Sequence, residues 1–397
     1  MRIYFYETKN ESRCGTNMLL KHLLRKENIE VVTDPVLCDF VFVSLYDITV
    51  FDRLYKAKQL FKQPIVCGGD VAKLDIVLNY ADYIVRGEAY NFIEELGKLK
   101  NNEDIINIPN VWTSNKKGTI DYKIKYSKNP IIKASPKTYY YYGGKGCPQK
   151  CKYCFYSHNN EYSQIPKDYV IKALKKIPKS GKLYLTSAYF PYPEINDYLL
   201  KKLGMIDLKN SHYLKKRFPC RSFRMGIEFF TEGKRKQMGK PIKNEKITET
   251  VNKSLEWKHE IVMYMMAGLE QQEDMYQFIS LFPEYHKTYS PRITIHFQYI
   301  DFNENTPLEN INVTQRYDFD TKLLQKEFNL KNRRVRVGPI KYKAFSTYRT
   351  LLQRTKTKDE TEFIYSMRNE KNNDTMINKT INKFPHLIGN KKNIYIN

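Results

Sequence analysis

Residues 143–156 decide the fold, and they read GGKGCPQKCKYCFY. Three cysteines, Cys147, Cys151 and Cys154, stand at CxxxCxxC spacing in a glycine-rich segment that directly follows a β-type run at 138–142. Three thiolates on one such loop can hold an iron–sulfur cube on one face and leave its fourth iron open. The spacing therefore predicts a [4Fe–4S] centre at which a ligand can bind and react.

Zinc is the other metal that these cysteines suggest. Structural zinc usually has four ligands in two separated pairs, and no second CxxC or HxxxH accompanies this one. His158 is close enough in sequence to be considered as a fourth ligand, and we interpret it as a loop residue. The other cysteines are scattered and mostly flanked by apolar residues, which is typical of buried small side chains: Cys14, Cys38, Cys67 and Cys220.

The first hundred residues alternate strand and helix patterns. Apolar runs at 1–6, 40–44, 64–67 and 83–86 predict strands, and helical periodicity occurs at 17–26, 51–61, 71–79 and 91–98. Continuous apolar strands that alternate with helices are typical of a parallel sheet covered on both faces. We predict a Rossmann-like domain over 1–100, then a polar connector over 101–135 with a small hairpin near 111–124.

A second strand–helix series begins at Thr138. Its predicted strands are 138–142, 182–186, 223–229, 260–266 and 292–299, and its predicted helices are 167–176, 194–203, 244–257 and 272–282. This order is typical of a parallel βα barrel. The fold class is therefore α/β: a Rossmann-like domain, a partial (βα)6 TIM-type barrel over 136–310, and a basic C-terminal segment over 311–397. In that last segment we expect helices at 322–328 and 345–354, a basic strand within 333–343, and fraying from 372 onward.

The charge of the chain is strongly positive. Lys and Arg number 67 against 43 Asp and Glu, a net charge of +24, and the 14% aromatic content excludes a disordered chain. The excess predicts a polyanionic partner such as nucleic acid, or reflects the lysine-rich codon usage of an AT-rich genome. Residues 331–397 hold 16 Lys and Arg against 5 Asp and Glu, which favours a local surface. Arg333, Arg334 and Arg336 are the predicted contacts to a substrate anion, unless they protect a solvated edge strand.

The expected compartment is the cytosol. The longest apolar runs are too short to cross a bilayer, and the first residues show no small-residue cleavage site. Seven unevenly spaced cysteines do not make a disulfide scaffold.

The cysteine loop and its neighbours resemble the radical SAM superfamily, whose motif has this spacing with an aromatic residue before the last cysteine, here Tyr153. The resemblance implies that Cys147, Cys151 and Cys154 hold a [4Fe–4S] cluster whose free iron binds S-adenosylmethionine (SAM), and that Tyr153 contacts SAM. It also implies reductive cleavage of SAM to a 5′-deoxyadenosyl radical, with electrons from a partner such as flavodoxin or ferredoxin.

Further segments resemble the SAM-binding elements of that superfamily. Glu228, at the end of a strand, resembles the acidic residue that approaches the SAM ribose or amino group, and Met266 and Gly268 resemble the fifth-strand segment beside adenine. The second barrel strand of the superfamily ends in a Gly-Gly-Glu-like segment. This chain has Thr186 and Ser187 there, and they are expected to contact SAM through their backbone.

The front domain resembles the cobalamin-binding domains that precede many radical SAM barrels. The likeness rests on residues 64–69, PIVCGG, and 80–88, YADYIVRGE. The Asp-x-His-x-x-Gly motif that would supply an imidazole to cobalt does not occur in the sequence, which argues against cobalamin. Some relatives bind cobalamin without that histidine, so Gly68-Gly69 is either a loop that contacts the corrin ring or a tight turn, and we favour the turn.

The sequence thus predicts a radical SAM enzyme that modifies a nucleotide or nucleic acid, a peptide or a small metabolite. With cobalamin, the expected reaction is methyl transfer to an unactivated carbon. Without it, hydrogen abstraction leading to rearrangement, epimerisation or bond formation is expected. The alternatives are a methylthiotransferase with a second cluster on Cys14, Cys38 and Cys67, a non-catalytic zinc or iron–sulfur protein that binds nucleic acid, and a radical SAM descendant without turnover.

Overall fold

The protein is described by a computed structural model. It describes residues 1–8, 15–120, 131–135, 138–141, 144–159, 161–177, 182–185, 205–207, 222–284, 293–301, 306–309, 312, 314, 316–332, 334–338, 340 and 343–389. The predicted helix at 194–203 and the end beyond 389 lie outside these residues.

The front of the chain forms a six-stranded sheet in the order β2-β1-β3-β4-β5-β6. Its strands are β1 Arg2–Phe5, β2 Glu30–Val32, β3 Phe40–Ser44, β4 Ile65–Gly68, β5 Tyr83–Val85 and β6 Val111–Trp112. The first five are parallel, and β6 runs antiparallel to β5. The helices of this part are α1 Gly15–Lys26, α2 Phe51–Leu60 and α3 Ala89–Leu96. The Rossmann-like prediction for the front of the chain is confirmed.

One local prediction in this part was wrong. The helix expected at 71–79 is a pair of 3₁₀ turns at 70–73 and 75–79, because Leu74 between them has extended backbone angles that interrupt a helix.

The expected hairpin near 111–124 is described only in part. Val111 and Trp112 pair with Val85 and Ile84 and extend the front sheet. The chain then turns back, and the Thr119 backbone N–H donates to the Pro109 carbonyl at 2.6 Å. Residues 121–124 lie outside the described residues.

The middle of the chain forms a second strand series. Its strands are β7 Ile131–Ser135, β8 Thr138–Tyr141, β9 Gly144–Lys145, β10 Ser163–Gln164, β11 Lys182–Leu185, β12 Met205–Asp207, β13 Ser222–Glu228, β14 Glu260–Ala267, β15 Ile293–Tyr299 and β16 Val335–Val337. One sheet has the order β11-β8-β7 and a larger one the order β12-β13-β14-β15-β16. All pairs in the larger sheet are parallel. Strand β11 contacts β12, so the two sheets continue each other as a partial barrel.

Helices cover one face of the larger sheet. The helices of this part are α4 Phe155–Asn159, α5 Lys167–Lys175, α6 Glu232–Gln237, α7 Asn244–Trp257, α8 Met275–Ser280 and α9 Thr321–Lys331. Alternate strand residues pack against them in one core, among them Ile227, Met263, Ile295 and Val335. Because side chains alternate along a strand, the residues between them project from the opposite face, which we call the inner face.

The C-terminal region is helical, with α10 Lys343–Arg354, α11 Lys358–Ser366 and α12 Asn373–Lys383, followed by a 3₁₀ turn at 385–388. The expected fraying from 372 is wrong through residue 389. The Asn372 side chain caps α12 by accepting from the Thr375 backbone N–H at 3.0 Å, and Met376 and Ile377 are buried. A hydrophobic contact surface therefore holds this end in place.

These C-terminal helices lie against the front domain. Tyr365 stacks on Tyr55 with ring centroids 4.3 Å apart, and its hydroxyl donates to Asp52. Arg349 lies 3.1 Å from a carboxylate oxygen of Asp47 and 3.1 Å from one of Asp301. One hydrophobic core continues from the front domain through α10–α12 to the cysteine loop. In the part of the chain that the structure describes, no helix is long and apolar enough to cross a membrane.

This shared core yields a stability prediction. Leu351 is fully buried in it, so Leu351→Ala should lower the free energy of unfolding by about 2–5 kcal/mol. Leu330 on α9 is 69% exposed, and Leu330→Ala should change it by less than about 0.5 kcal/mol. Thermal unfolding followed by circular dichroism compares them; similar shifts for both variants would contradict the shared core.

Candidate functional site

The cysteine loop is closed at its base by a short antiparallel pair. Lys145 and Gly144 of β9 pair with Ser163 and Gln164 of β10, so the chain between them returns to its starting point. Gly146 has a φ of 69°, and a Cβ there would overlap the Glu161 carbonyl. A side chain at this position would therefore open the loop.

The three thiols have different surroundings. Cys151 is buried, whereas Cys147 and Cys154 are partly exposed. The Ser157 backbone N–H donates to Cys154 Sγ at 3.4 Å, a contact that suits a thiolate. Burial raises the pKa of the Cys151 thiol above its ordinary value, and the nearby Lys240 ammonium opposes that rise.

Residue Gly239 forms the wall behind Cys151. Its φ is 77°, and a Cβ there would lie 3.4 Å from Cys151 Cα. The Cys151 thiol donates to the Gly239 carbonyl with an Sγ–O distance of 3.5 Å, and the Lys152 backbone N–H donates to the Met238 carbonyl at 3.0 Å. The turn after α6 is thus fixed directly against the cysteine loop.

The His158 ring lies within the cysteine loop. Its Nε2 is 3.0 Å from the Cys151 carbonyl oxygen, so that ring nitrogen is used there. Among the described residues, which include all three motif cysteines, no group of three or more His, Cys, Asp or Glu side chains is arranged to hold one metal ion. In an iron–sulfur cube each thiolate binds its own iron.

Beside the loop, Glu228 forms an ion pair with Lys240 at 2.6 Å, and both side chains are largely buried. Glu228 lies at a bulge in β13 and has a φ of 74°, which is strained for a residue with a side chain. Such strain persists where surrounding structure enforces it, often at functional sites. The sequence predicts that Glu228 contacts SAM, and its position beside the loop is compatible with that prediction. Its carboxylate also contributes to raising the pKa of Tyr153.

The other predicted SAM contacts are placed differently. Tyr153 is buried edge-on against Phe229 at 5.6 Å, and burial raises its pKa above the ordinary range. Met266 packs against the core that contains Cys151 and Tyr153. Gly268 has a φ of 105° and packs instead under Arg316 and Tyr299. Thr186 and Ser187 lie outside the described residues.

The structure places one of the predicted anion contacts on the edge strand of the larger sheet. Arg336 is exposed in the middle of β16, and Arg334 lies in the turn just before that strand. Arg333 lies outside the described residues.

A cavity of about 320 Å³ opens between the front sheet and the cysteine loop. It lies where the parallel strands of the front sheet end, which is the usual ligand edge of such sheets. Residues from those ends line it together with two residues of the cysteine loop, Gly144 and Tyr156. The main polar contributors from the front domain are Ser44, Asp70 and Glu88.

Tyr156 joins this cavity to the loop. Its hydroxyl accepts from the Gly146 backbone N–H at 3.0 Å, and burial raises its pKa, with further contributions from Asp70 and Glu88. Sequence reasoning did not assign Tyr156, Asp70 or Glu88. Asp70 and Glu88 come just after the ends of strands and their following glycines. This position in the sequence could have marked them as candidates for a ligand site.

The double glycine contributes to both a turn and the cavity. Gly69 has a φ of 113°, and a Cβ there would lie 2.6 Å from the Leu45 carbonyl oxygen, so this position requires glycine for close backbone approach. Gly68 lines the cavity and has ordinary room beside Val85. The tight turn predicted here therefore also shapes the cavity floor.

No protein-family model and no curated protein matches this chain. Among solved structures, it is similar to the radical S-adenosylmethionine methyltransferase TsrM from Kitasatospora setae, with cobalamin and a [4Fe–4S] cluster bound. That match has a TM-score of 0.55 and 11% identity and covers 79% of this chain and 74% of the other. The match to TsrM with tryptophan substrate and a SAM analogue has a TM-score of 0.54 and 12% identity, covering 77% and 74%.

A third similar structure is the apo form of OxsB, a cobalamin-dependent S-adenosylmethionine radical enzyme. Its TM-score is 0.51 with 12% identity, and the match covers 83% of this chain and 55% of the other. Together these likenesses show the fold alone: a Rossmann-like domain joined to a partial βα barrel.

The site geometry predicts how single cysteine changes affect metal binding. Cys151→Ala should abolish the brown visible absorbance of the anaerobically reconstituted protein and most of its bound iron, because Cys151 is one of the three predicted ligands. Cys38→Ala is the matched control, since Cys38 is buried at the far end of the front sheet and donates to the Pro35 carbonyl at 3.1 Å. Equal iron content in the two variants would contradict the assignment.

Proposed function

We propose that this protein is a radical SAM enzyme whose [4Fe–4S] cluster is held by Cys147, Cys151 and Cys154. The observation that carries the proposal is the position of this loop. Its buried thiol lies against the turn after β13, beside the strained Glu228 and its partner Lys240. Three ligands from the loop leave one iron for SAM, and the cluster, when reduced, supplies the electron that cleaves SAM.

The chain's own residues bind, orient and exclude water. Glu228 presents a carboxylate that suits the hydroxyl or ammonium groups of SAM, and Lys240 fixes its direction. Met266 supplies an apolar surface near the cysteines, where the adenine is expected to lie. Buried aromatic rings at Tyr153 and Phe229 keep water from the loop, which protects a reactive intermediate.

As the reaction class, we propose methyl transfer with a corrinoid bound in the front cavity. The cavity lies at the carboxyl edge of the Rossmann-like sheet, reaches the cysteine loop at Gly144 and Tyr156, and has glycine backbone at Gly68 for close approach. Asp70 and Glu88 offer carboxylates to the amide groups that surround a corrin ring. The corrinoid would supply a transferable methyl group next to the SAM site, and the titles of the TsrM and OxsB structures support this pairing of cofactors.

The sequence lacks the histidine motif, so the proposed corrinoid would bind without an imidazole from the protein. Among the described residues that line the cavity there is no histidine. The sequence argument against cobalamin rested on that motif alone, whereas the cavity provides polar groups at the ligand edge of the front sheet that the motif search did not consider. We therefore favour the corrinoid reading over hydrogen abstraction without it.

A second cluster of the methylthiotransferase type is disfavoured. Val43 pairs with Cys67 near the end of the strands, whereas Cys38 lies before the start of β3. Cys38 is five residues before Val43 along the chain, which is about 16 Å at 3.3 Å per residue. This separation from Cys67 is too large for two thiols of one cluster. Cys14, the third cysteine of that hypothesis, lies outside the described residues.

For partners, we propose a one-electron donor such as flavodoxin or ferredoxin. The net charge of +24 supports docking of an acidic protein. Nucleic acid stays a second candidate supported by the same charge.

Radical chemistry has a direct test. Anaerobic protein reconstituted with iron and sulfide, then given SAM and dithionite, should form 5′-deoxyadenosine or S-adenosylhomocysteine, and Cys151→Ala should form neither. Cys38→Ala should retain the wild-type rate because it lies far from the loop. Zinc in place of iron, with no product from the reconstituted protein, would contradict the proposal.

The corrinoid site has a separate test that needs no turnover. Ala89 lines the cavity at the start of α3, so Ala89→Trp should fill it and abolish binding of hydroxocobalamin measured by equilibrium dialysis. Ala89→Ser adds one oxygen atom and should bind as the unaltered protein does. If the unaltered protein does not retain hydroxocobalamin, the methyl-transfer reading falls while the radical SAM reading stands.

A further inference from the structure

The inner face of the larger sheet carries a row of rings between two glycines. On β14 and β15, Tyr264 pairs with His296, and their rings stack at 5.8 Å with an interplanar angle of 24°. Gly226 of β13 is in register with Tyr264, and Gly338, just after β16, follows the pair Ile295–Val337 and so lies beside His296. On the Gly226 flank, the Glu228 carboxylate and the Lys240 ammonium fill the place where a Cβ would stand. On the other flank, Gly338 has no side chain to cover His296.

The glycine beside His296 is required for space. A Cβ at Gly338 would lie 3.0 Å from His296 Nδ1, close enough to displace the imidazole. Tyr264 is 39% exposed and His296 is also exposed, so no described residue covers the rings. Residues on this face of a strand would normally be covered or charged; here two rings lie open in a recess.

Arginines stand along the adjacent row of the same face. Val262, Thr294 and Arg336 are in register across β14, β15 and β16, and Arg224 pairs with Val262 from β13. The described carboxylates on the face are Glu260, at the base of β14, and Glu228, which is paired with Lys240. The layer beside the rings is therefore net positive.

We propose that this recess binds the substrate, and that the substrate is a small anion with a planar ring. Its carboxylate or phosphate would lie against Arg336 and Arg224, and its ring would lie on Tyr264 and His296. This inference rests on the proposed function, because it names the substrate class of the same barrel.

The dimensions of the recess fit a small molecule. Strands β13 and β16 are three strand spacings apart, about 14 Å along a flat sheet and less when the sheet curves. Met266 lies two residues further along β14 than Tyr264, about 7 Å away. The Glu228 carboxylate reaches back beside Gly226, which is in register with Tyr264. A ring with one acidic group spans these layers, with its far end toward the SAM site. A nucleic-acid duplex is too wide to enter such a recess.

The test uses phenyl phosphate, with benzyl alcohol as the neutral aromatic probe and inorganic phosphate as the anion without a ring. Binding to the reconstituted full-length protein is measured by isothermal titration calorimetry. Loss of a charge-assisted contact should make Arg336→Gln bind phenyl phosphate about tenfold or more weakly, and Arg336→Lys should recover part of that loss. His296→Ala should weaken phenyl phosphate binding and leave inorganic phosphate binding unchanged.

The control variant is Arg25→Gln, which removes an exposed arginine from the last turn of α1 in the front domain. It should bind every probe as the unaltered protein does. The proposal is overturned if the unaltered protein binds phenyl phosphate no better than benzyl alcohol, or if Arg25→Gln and Arg336→Gln weaken binding equally. The comparison of probes on the unaltered protein does not depend on any variant folding.

Failure of the proposed function would be visible separately. Cleavage of SAM without substrate is measured on the same unaltered preparation. Its absence, together with phenyl phosphate binding that depends on Arg336, would count against the radical chemistry and for the anion recess. SAM cleavage with no preference for the aromatic anion would count for the radical chemistry and against the anion recess.

Discussion

The structure depends on the burial of one thiol, Cys151, against a backbone that cannot carry a side chain. Gly239 holds that contact at a positive φ, and the hydrogen bond from Lys152 to Met238 fixes the two segments together. A cluster loop that is short and polar cannot exclude water alone. It needs walls from elsewhere in the chain, and this contact is where the barrel supplies the first of them.

The remaining walls come from regions that are far apart in sequence. The core that contains Cys151 and Tyr153 also contains Phe51 of the front domain and Leu351 of the C-terminal helices. The front cavity and the cysteine loop meet at Tyr156, so two ligand positions share one side chain as their boundary. In the proposed function, such sharing gives a simple physical basis for bringing two cofactors together, because one side chain bounds both positions.

Most of the strands and the cysteine loop could be predicted from the sequence, because they rest on local patterns. Apolar runs such as Phe40–Ser44 and a spacing such as Cys151–Cys154 are legible without knowledge of the fold. The cavity was not predicted, because Asp70, Glu88 and Tyr156 meet only after three segments pack together. The order of the C-terminal end was missed for a similar reason. Its polar composition suggests fraying, and the contacts of Met376 and Ile377 that oppose fraying are long-range. Tyr264 and His296 could have been assigned to one face of the sheet from the alternation of side chains along their strands. Alternation alone does not predict which face of the sheet is left uncovered.

The participation of helices α10–α12 in the core around Cys151 has a consequence for the making of the protein. A ribosome releases residues 343–389 after the cysteine loop and both sheets, so the loop is complete in sequence long before its surroundings are complete in space. Until those residues emerge, the core that includes Cys151 lacks the apolar side chains of the last helices, such as Leu351. The order of synthesis therefore makes these helices the last part of that core to pack.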